Sequence, residues 1–371
     1  MGPLAGIRVL EVGGIGPNPF AGMLLADMGA EVLRIDRPGG QLGLEPGVDP
    51  TLRSRQTISL DLKSAAGREA VYTLAQRADA LIEGFRPGAM ERLGLGPADL
   101  HARNPRLVYG RMTGYGQLGP MAGVAGHDIN YIGLAGALGA TRRRGERPMF
   151  ALNLVGDYGG GAMFLAFGVV CALLETRSSG QGQVIDAAMV DGAALLTALV
   201  HGLHAAGGWN QEPGTNLLDS GAHFYEVYAT ADGGHMAVGA LEPQFYARLL
   251  ELLQIPAEEM PQFDRDRWPE FKQRLGEIFA SRTTAVWAEL FESEEACVTA
   301  VRGPFDAGRH PHLAARNTFI ELDGVEQPGA APRFSRTSAE ATPAQRDPDT
   351  ALGRWNLAPE ERELLAAAMS V

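Results

Sequence analysis

Over the first third of the chain, short apolar runs alternate with helix-like stretches. The run Ile7-Arg8-Val9-Leu10-Glu11-Val12 predicts a buried strand. A turn of Gly13, Gly14, Gly16, Pro17 and Pro19 follows, then a helix over 20–28 that Gly29 stops, and a second strand over 31–35. The succession returns as a strand over 57–62, a helix over 65–77 and a strand over 80–83, with a further strand at 107–111. Strands alternating with helices in this way predict a mostly parallel sheet covered on both faces.

A glycine-rich connection over 113–126 ends the regular pattern. Long helices are predicted over 158–175 and 190–206, with a short strand at 184–187 before the second and a linker-like segment at 213–221. From Phe224 the pattern becomes a hairpin, 224–230 and 235–239 about Asp232-Gly233-Gly234, followed by helices over 244–253, 270–281 and 284–292. Residues 324–348 are rich in Pro, Ala and Gly and predict an extended connection; 359–369 predicts a last helix with Pro359 in its first turn. The expected fold is α/β. A large Rossmann-like domain with a mostly parallel sheet spans 1–185 and is completed by about 330–371; a linker covers 186–223, a smaller α+β domain 224–310, and a return linker 311–329.

Composition agrees with a folded, two-domain chain: 371 residues, 45% hydrophobic and 20% charged. A net charge of -12 disfavours a generic nucleic-acid binder, whose backbone contacts need Lys and Arg. Cys171, in the apolar run 162–174, is expected in the core, and Cys297 has no His or second Cys nearby, which suits a reducing compartment. Residues 1–6 carry no basic leader, and the run 162–174 is too short to span a bilayer. A cytoplasmic protein with no nucleic-acid or membrane partner is expected.

Chemistry concentrates in Gly126-His127-Asp128-Ile129-Asn130-Tyr131 and Leu154-Val155-Gly156-Asp157-Tyr158-Gly159-Gly160-Gly161. Histidine suits proton transfer near neutral pH, a carboxylate supplies a second acid or base, and glycine lets a substrate approach the backbone. His127 and Asp157 have a plainer reading as helix N-caps or a satisfied core pair. Gly14-Ile15-Gly16 after a strand, with Asp36 ending the next, partly matches a dinucleotide fingerprint. Pro19 stands where the third glycine belongs, and Pro17 removes a backbone N–H. The histidines at 201, 204, 223, 235, 310 and 312 show no metal-ligand spacing, so no metal is expected. Arg142-Arg143-Arg144 reads as a solvated loop.

Several motifs occur in order: Leu4-Ala5-Gly6-Ile7-Arg8-Val9-Leu10-Glu11, Arg34-Ile35-Asp36-Arg37-Pro38, Leu60-Asp61-Leu62-Lys63, Glu83-Gly84-Phe85-Arg86-Pro87-Gly88, Arg111-Met112-Thr113-Gly114-Tyr115-Gly116 and Gly126-His127-Asp128. Together they resemble the family III CoA-transferases. Within that superfamily, His127 with Asp157, the run Leu152-Asn153-Leu154-Val155-Gly156-Asp157, and Gly239-Ala240-Leu241-Glu242-Pro243-Gln244-Phe245-Tyr246 resemble the α-methylacyl-CoA racemases.

The resemblance implies an interlocked homodimer with active sites shared between subunits, and an acyl-CoA substrate whose CoA is no separate cofactor. It implies a racemase that interconverts (2R)- and (2S)-2-methylacyl-CoA through an enolate, with His127 and Asp157 as the two bases. Glu242 would orient His127 across the dimer, or else be a solvated acid at a helix start. Asp128, as a further catalytic group, and Tyr131 could orient His127, although Asp128 also suits a first-turn cap; Asn153 could assist. Arg37 and Arg86 suit phosphate recognition, with Lys63 and Arg92 as further candidates and ordinary surface charge as the alternative. Ile15, Leu60, Leu62 and Phe85 offer apolar contact to adenine or pantetheine, or simple core burial; Gly84 and Gly126 give backbone access. Asp157 also occupies the position of the transferase nucleophile, so CoA transfer through an anhydride and an enzyme thioester stays open. A protein that binds acyl-CoA without turnover is the third reading.

Overall fold

The computed structural model describes residues 2–39, 44, 48–345 and 347–369; the other positions of the ranges assigned above to the large domain lie outside the described residues. Six strands, β1 (Arg8–Val12), β2 (Glu31–Asp36), β3 (Gln56–Ser59), β4 (Ala80–Glu83), β5 (Val108–Thr113) and β6 (Val184–Ala188), form one sheet in the order β3-β2-β1-β4-β5-β6. All its pairings are parallel. The central strands are buried on both faces, which is why they read as continuous apolar runs. Helices Pro17–Asp27 and Ala65–Ala75 fill the first crossovers. Pro17 at the first helical position costs nothing, because its missing N–H would have no partner inside the helix.

The interior strands carry charges, and the register pairs them. Glu11 on β1 lies opposite Arg34 on β2, and Glu83 on β4 opposite Arg111 on β5. Arg34 donates to Glu11 and, at 2.9 Å, to Asp36; Arg55 binds the other Glu11 oxygen. A buried carboxylate left unpaired would cost several kcal/mol, on the order given for broken buried pairs. Asp36, which a dinucleotide site would use for ribose, is thus engaged by Arg34.

The chain divides into two compact units: 1–135, 151–196 and 311–371 form one, and 136–150 with 197–310 the other. Residues 136–150, read from sequence as part of the large domain, belong by their contacts to the second unit. The first proposed boundary, at 185, falls inside β6, whose last residues pair with β5. The helix expected over 190–206 is two, Met189–Leu195 and Ala198–Ala205, one in each unit. The second unit has an antiparallel sheet of β7 (Tyr225–Ala229), β8 (His235–Gly239) and β9 (Val298–Ala300). Its aromatic core includes Phe224, Phe271, Phe279, Trp287 and Phe291. A three-residue strand such as β9 is too short to show alternation in sequence. The segment read as a return linker holds another hairpin, β10 (Phe319–Leu322) and β11 (Val325–Pro328). Buried Arg53 fastens it to the first helix: it binds Asp27 at 2.7 Å, Gln327 at 3.0 Å and the Pro328 carbonyl at 2.5 Å. Cys171, expected in the core, is exposed, because its helix turns only one face to the sheet.

Candidate active site

Strand order reverses between β1 and β4, so the crevice beyond their carboxyl ends is where an open α/β sheet binds its ligand. Two loops border it. In the loop after β1, Gly14 (φ 107°) and Gly16 (φ 66°) adopt backbone conformations that side chains disfavour. That loop is fixed from beneath by Arg34, which donates to the Gly14 carbonyl at 3.2 Å, and by buried Asn18, which donates to the Gly13 carbonyl at 2.9 Å. The loop after β4 presses on the same asparagine: a Cβ at Gly84 would lie 3.1 Å from Asn18 Cβ.

Two cavities open here. One, of about 320 Å³, is bordered by Arg86, Gly126, His127, Tyr131 and Asp157. The other, of about 430 Å³, is bordered by Arg37, Leu60, Leu62 and Lys63. Ile15, Gly84 and Phe85 border both. Leu60 is fully buried and also belongs to the core, so the two readings offered for it hold together.

His127 is the N-cap of helix Asp128–Leu134, but its imidazole does no capping. The Asn130 side chain accepts the His127 backbone N–H at 3.0 Å, which leaves the exposed ring to the cavity. Tyr131 positions the turn before it: its hydroxyl donates to the Gly126 carbonyl. A Cβ at Gly114 would lie 2.2 Å from the Tyr131 ring, so only glycine fits there. Burial, with smaller contributions from Tyr115 and Asp157, pushes the Tyr131 phenol up to about 12, keeping it a donor.

Asp157 lies in a π-helical segment, Leu154–Ala162, that runs into helix Met163–Ser179. Wide π turns recur at functional sites because they aim a side chain out of register with its helix. Burial holds the Asp157 carboxyl above the usual range; a hydrogen bond from Asn153 Nδ2 (3.1 Å) opposes this, nearby Asp128 adds to it, and His127 opposes it. Asp157 Oδ2 faces Gly16, where a Cβ would come within 3.2 Å.

Four sequence-named residues border neither cavity: Asn153, which reaches the site only through its bond to Asp157, and the three that follow. Asp128 is buried and borders neither cavity; its Oδ2 accepts the N–H groups of Gly156 (2.6 Å) and Asp157 (2.8 Å), so it anchors the π segment rather than facing a substrate. Arg92, at the end of the one-turn helix Ala89–Arg92, is exposed and borders neither cavity, because its guanidinium lies back beside Gly88. Glu242, in the second unit, is the exposed N-cap of helix Pro243–Leu252 and makes no side-chain capping bond. Arg143 and Arg144, read as solvated, pair with Glu226 and Glu212 at 2.8 and 2.9 Å. Among the described residues, no cluster of three or more His, Cys, Asp or Glu is placed to hold a metal.

Sequence reasoning assigned no place to Met112 and Met189, which border the first cavity, and no role to Glu83 or Arg111. Opposite charges in two strands otherwise apolar were the available signal, since a buried charge requires a partner.

These features define an α/β fold of parallel-sheet type whose switch-point crevice brings His127, Asp157 and Arg86 onto one cavity and Arg37 and Lys63 onto the one adjoining it. The chain belongs to CoA-transferase family III, whose model matches residues 4–351. It is 46% identical over 348 residues to the mouse (Mus musculus) α-methylacyl-CoA racemase and 42% identical over 347 to the human (Homo sapiens) one, covering 93% of this chain and 90% of each relative. The crystal structure of Rv3272 from Mycobacterium tuberculosis superposes with a TM-score of 0.77 at 27% identity, covering 95% of this chain and 99% of that one; Rv3272 is described as a probable fatty acyl-CoA transferase.

Proposed function

We propose that this enzyme interconverts the C2 epimers of 2-methylacyl-CoA thioesters by proton transfer. The observation that carries the reading is the placing of His127 and Asp157 on one cavity, with the imidazole free of capping duty and the carboxyl held above its usual range. The identity to two racemases supports it. One base removes the α-proton, and the electron pair delocalises into the thioester carbonyl as an enolate. The other base, protonated, returns a proton to the opposite face. The first base ends protonated and the second deprotonated, so the enzyme then serves the reverse direction. Such a transfer calls for no redox group, and CoA arrives as part of the substrate. Arg37, Lys63 and Arg86 would meet its phosphates, and Ile15 and Phe85 its pantetheine arm.

The proposal extends to a homodimer in which Glu242 of the partner subunit orients His127. CoA transfer through Asp157 is the second reading, favoured by the likeness to Rv3272; it gives His127 no task. Incubating a 2-methylacyl-CoA in deuterated water without an acceptor acid separates the two. Epimerisation with deuterium at C2 is expected. No exchange, together with a hydroxylamine-trappable thioester on Asp157, would establish the transferase instead.

A further inference from the structure

The turn Gly84-Phe85-Arg86 borders both cavities, through Gly84 and Phe85, and carries the arginine of the first. Its shape therefore sets how a ligand lying across both would be registered. Beneath it is Glu83, 1% exposed at the end of β4. Glu83 Oε2 accepts the Phe85 N–H at 2.7 Å, and Oε1 accepts Arg111 Nε at 3.1 Å. Arg111 then forks onto Glu91, at 2.8 and 3.2 Å, on the short helix Ala89–Arg92 that follows the turn. Glu83, Arg111 and Glu91 thus brace the turn at both ends from one guanidinium. An ordinary hydrophobic residue at position 83 would pack between the neighbouring strands, but it would leave the Phe85 N–H and Arg111 without that acceptor.

We infer that Glu83 is a positioning residue for thioester binding: through Phe85 and Arg111 it holds the 84–86 turn in the conformation that presents Arg86. The inference rests on the reading of this crevice as a CoA site. It concerns binding alone and is independent of whether the chemistry is racemisation or transfer.

The test is calorimetric binding of free CoA to the wild-type protein and to Glu83→Gln, Glu91→Gln, Arg86→Ala and the double variant Glu83→Gln/Arg86→Ala, with thermal unfolding of each. A glutamine at position 83 can accept one of the two hydrogen bonds but not both. Glu83→Gln is expected to weaken CoA about tenfold, and Glu91→Gln, at a more exposed position, about threefold. Arg86→Ala should cost several-fold less in the Glu83→Gln background than in the wild type, because a misplaced arginine has less to lose. A merely structural role would lower the unfolding temperature without this coupling. Wild-type protein that does not bind CoA would overturn the CoA-site reading itself. Wild-type protein that binds, with Glu83→Gln binding equally well or the two losses multiplying in full, would overturn the positioning role alone. Should Glu83→Gln not fold, Glu91→Gln paired with Arg86→Ala decides by the same criterion.

Discussion

His127 and Asp157 are held by unlike means. His127 sits at a helix start whose N–H is capped by another side chain, so the ring is released; Asp157 is half-buried in a π turn and tethered by Asn153. A raised carboxyl loses its basic form at a higher pH as the solution is acidified. The acid limb of kcat/KM in the direction that uses Asp157 as base should therefore lie above the ordinary carboxylate range. Asn153→Ala removes a donor to the charged form and should move that limb to higher pH; Asp128→Asn removes a nearby negative charge, keeps an acceptor, and should move it lower. A pH profile of each variant checks both directions, with the fitted values assigned to the coupled pair. Arg86 gives a second prediction. Arg86→Ala should weaken a CoA thioester by about 1.5–3 kcal/mol, as for losing a charged hydrogen bond, and should matter much less for an acyl-pantetheine lacking the nucleotide phosphates. Equal losses for both ligands would contradict phosphate contact.

At the level of elements, the π segment owes its place to glycines. A Cβ at Gly192, in helix Met189–Leu195, would come within 1.8 Å of the Gly160 carbonyl oxygen, and one at Gly160 within 2.6 Å of the Ala193 nitrogen. The two backbones touch, which side chains of any size would prevent. Gly192→Ala should cost about 1–3 kcal/mol of stability through overpacking and also lower turnover, because the segment it displaces carries Asp157. At Gly202, in helix Ala198–Ala205, an added methyl would meet nothing within 4 Å. Gly202→Ala should instead stabilise by about 0.4–1 kcal/mol, by narrowing the unfolded ensemble. Denaturant unfolding of the pair checks the contrast in sign.

Across the whole molecule, the π segment and its helix form one stretch, Leu154–Ser179, long and apolar enough by length and composition to cross a membrane. The apolar run 162–174, taken alone from sequence, is too short to do so. Leu165, Val169 and Ala172 pack against the sheet, while Met163, Phe167, Val170 and Leu174 are exposed. Such an exposed apolar face suits the homodimer proposed above. Phe167→Glu should then shift the protein toward monomer at micromolar concentration and reduce activity with it. Sedimentation velocity checks this; an unchanged monomer with full activity would argue against the dimer.

The apolar runs by themselves determined the strands of the parallel α/β sheet, because its central strands, buried on both faces, have little choice of residues; the short strands β9, β10 and β11 were not legible in this way. The order of motifs determined the family, and the resemblance pointed to His127, Asp157 and the arginines at strand ends as candidates. Glu83 and Arg111 were visible as charges but not as partners, since their pairing exists only once β4 lies beside β5. The same holds for Asp128, whose carboxylate could as well have faced a substrate until the fold laid Gly156 and Asp157 against it. The break between Leu195 and Ala198 has no local sequence mark; the division of the chain into two units places it there. Local pattern decides what each segment is. Which residues share a cavity depends on contacts far apart in sequence, and these only the tertiary structure decides.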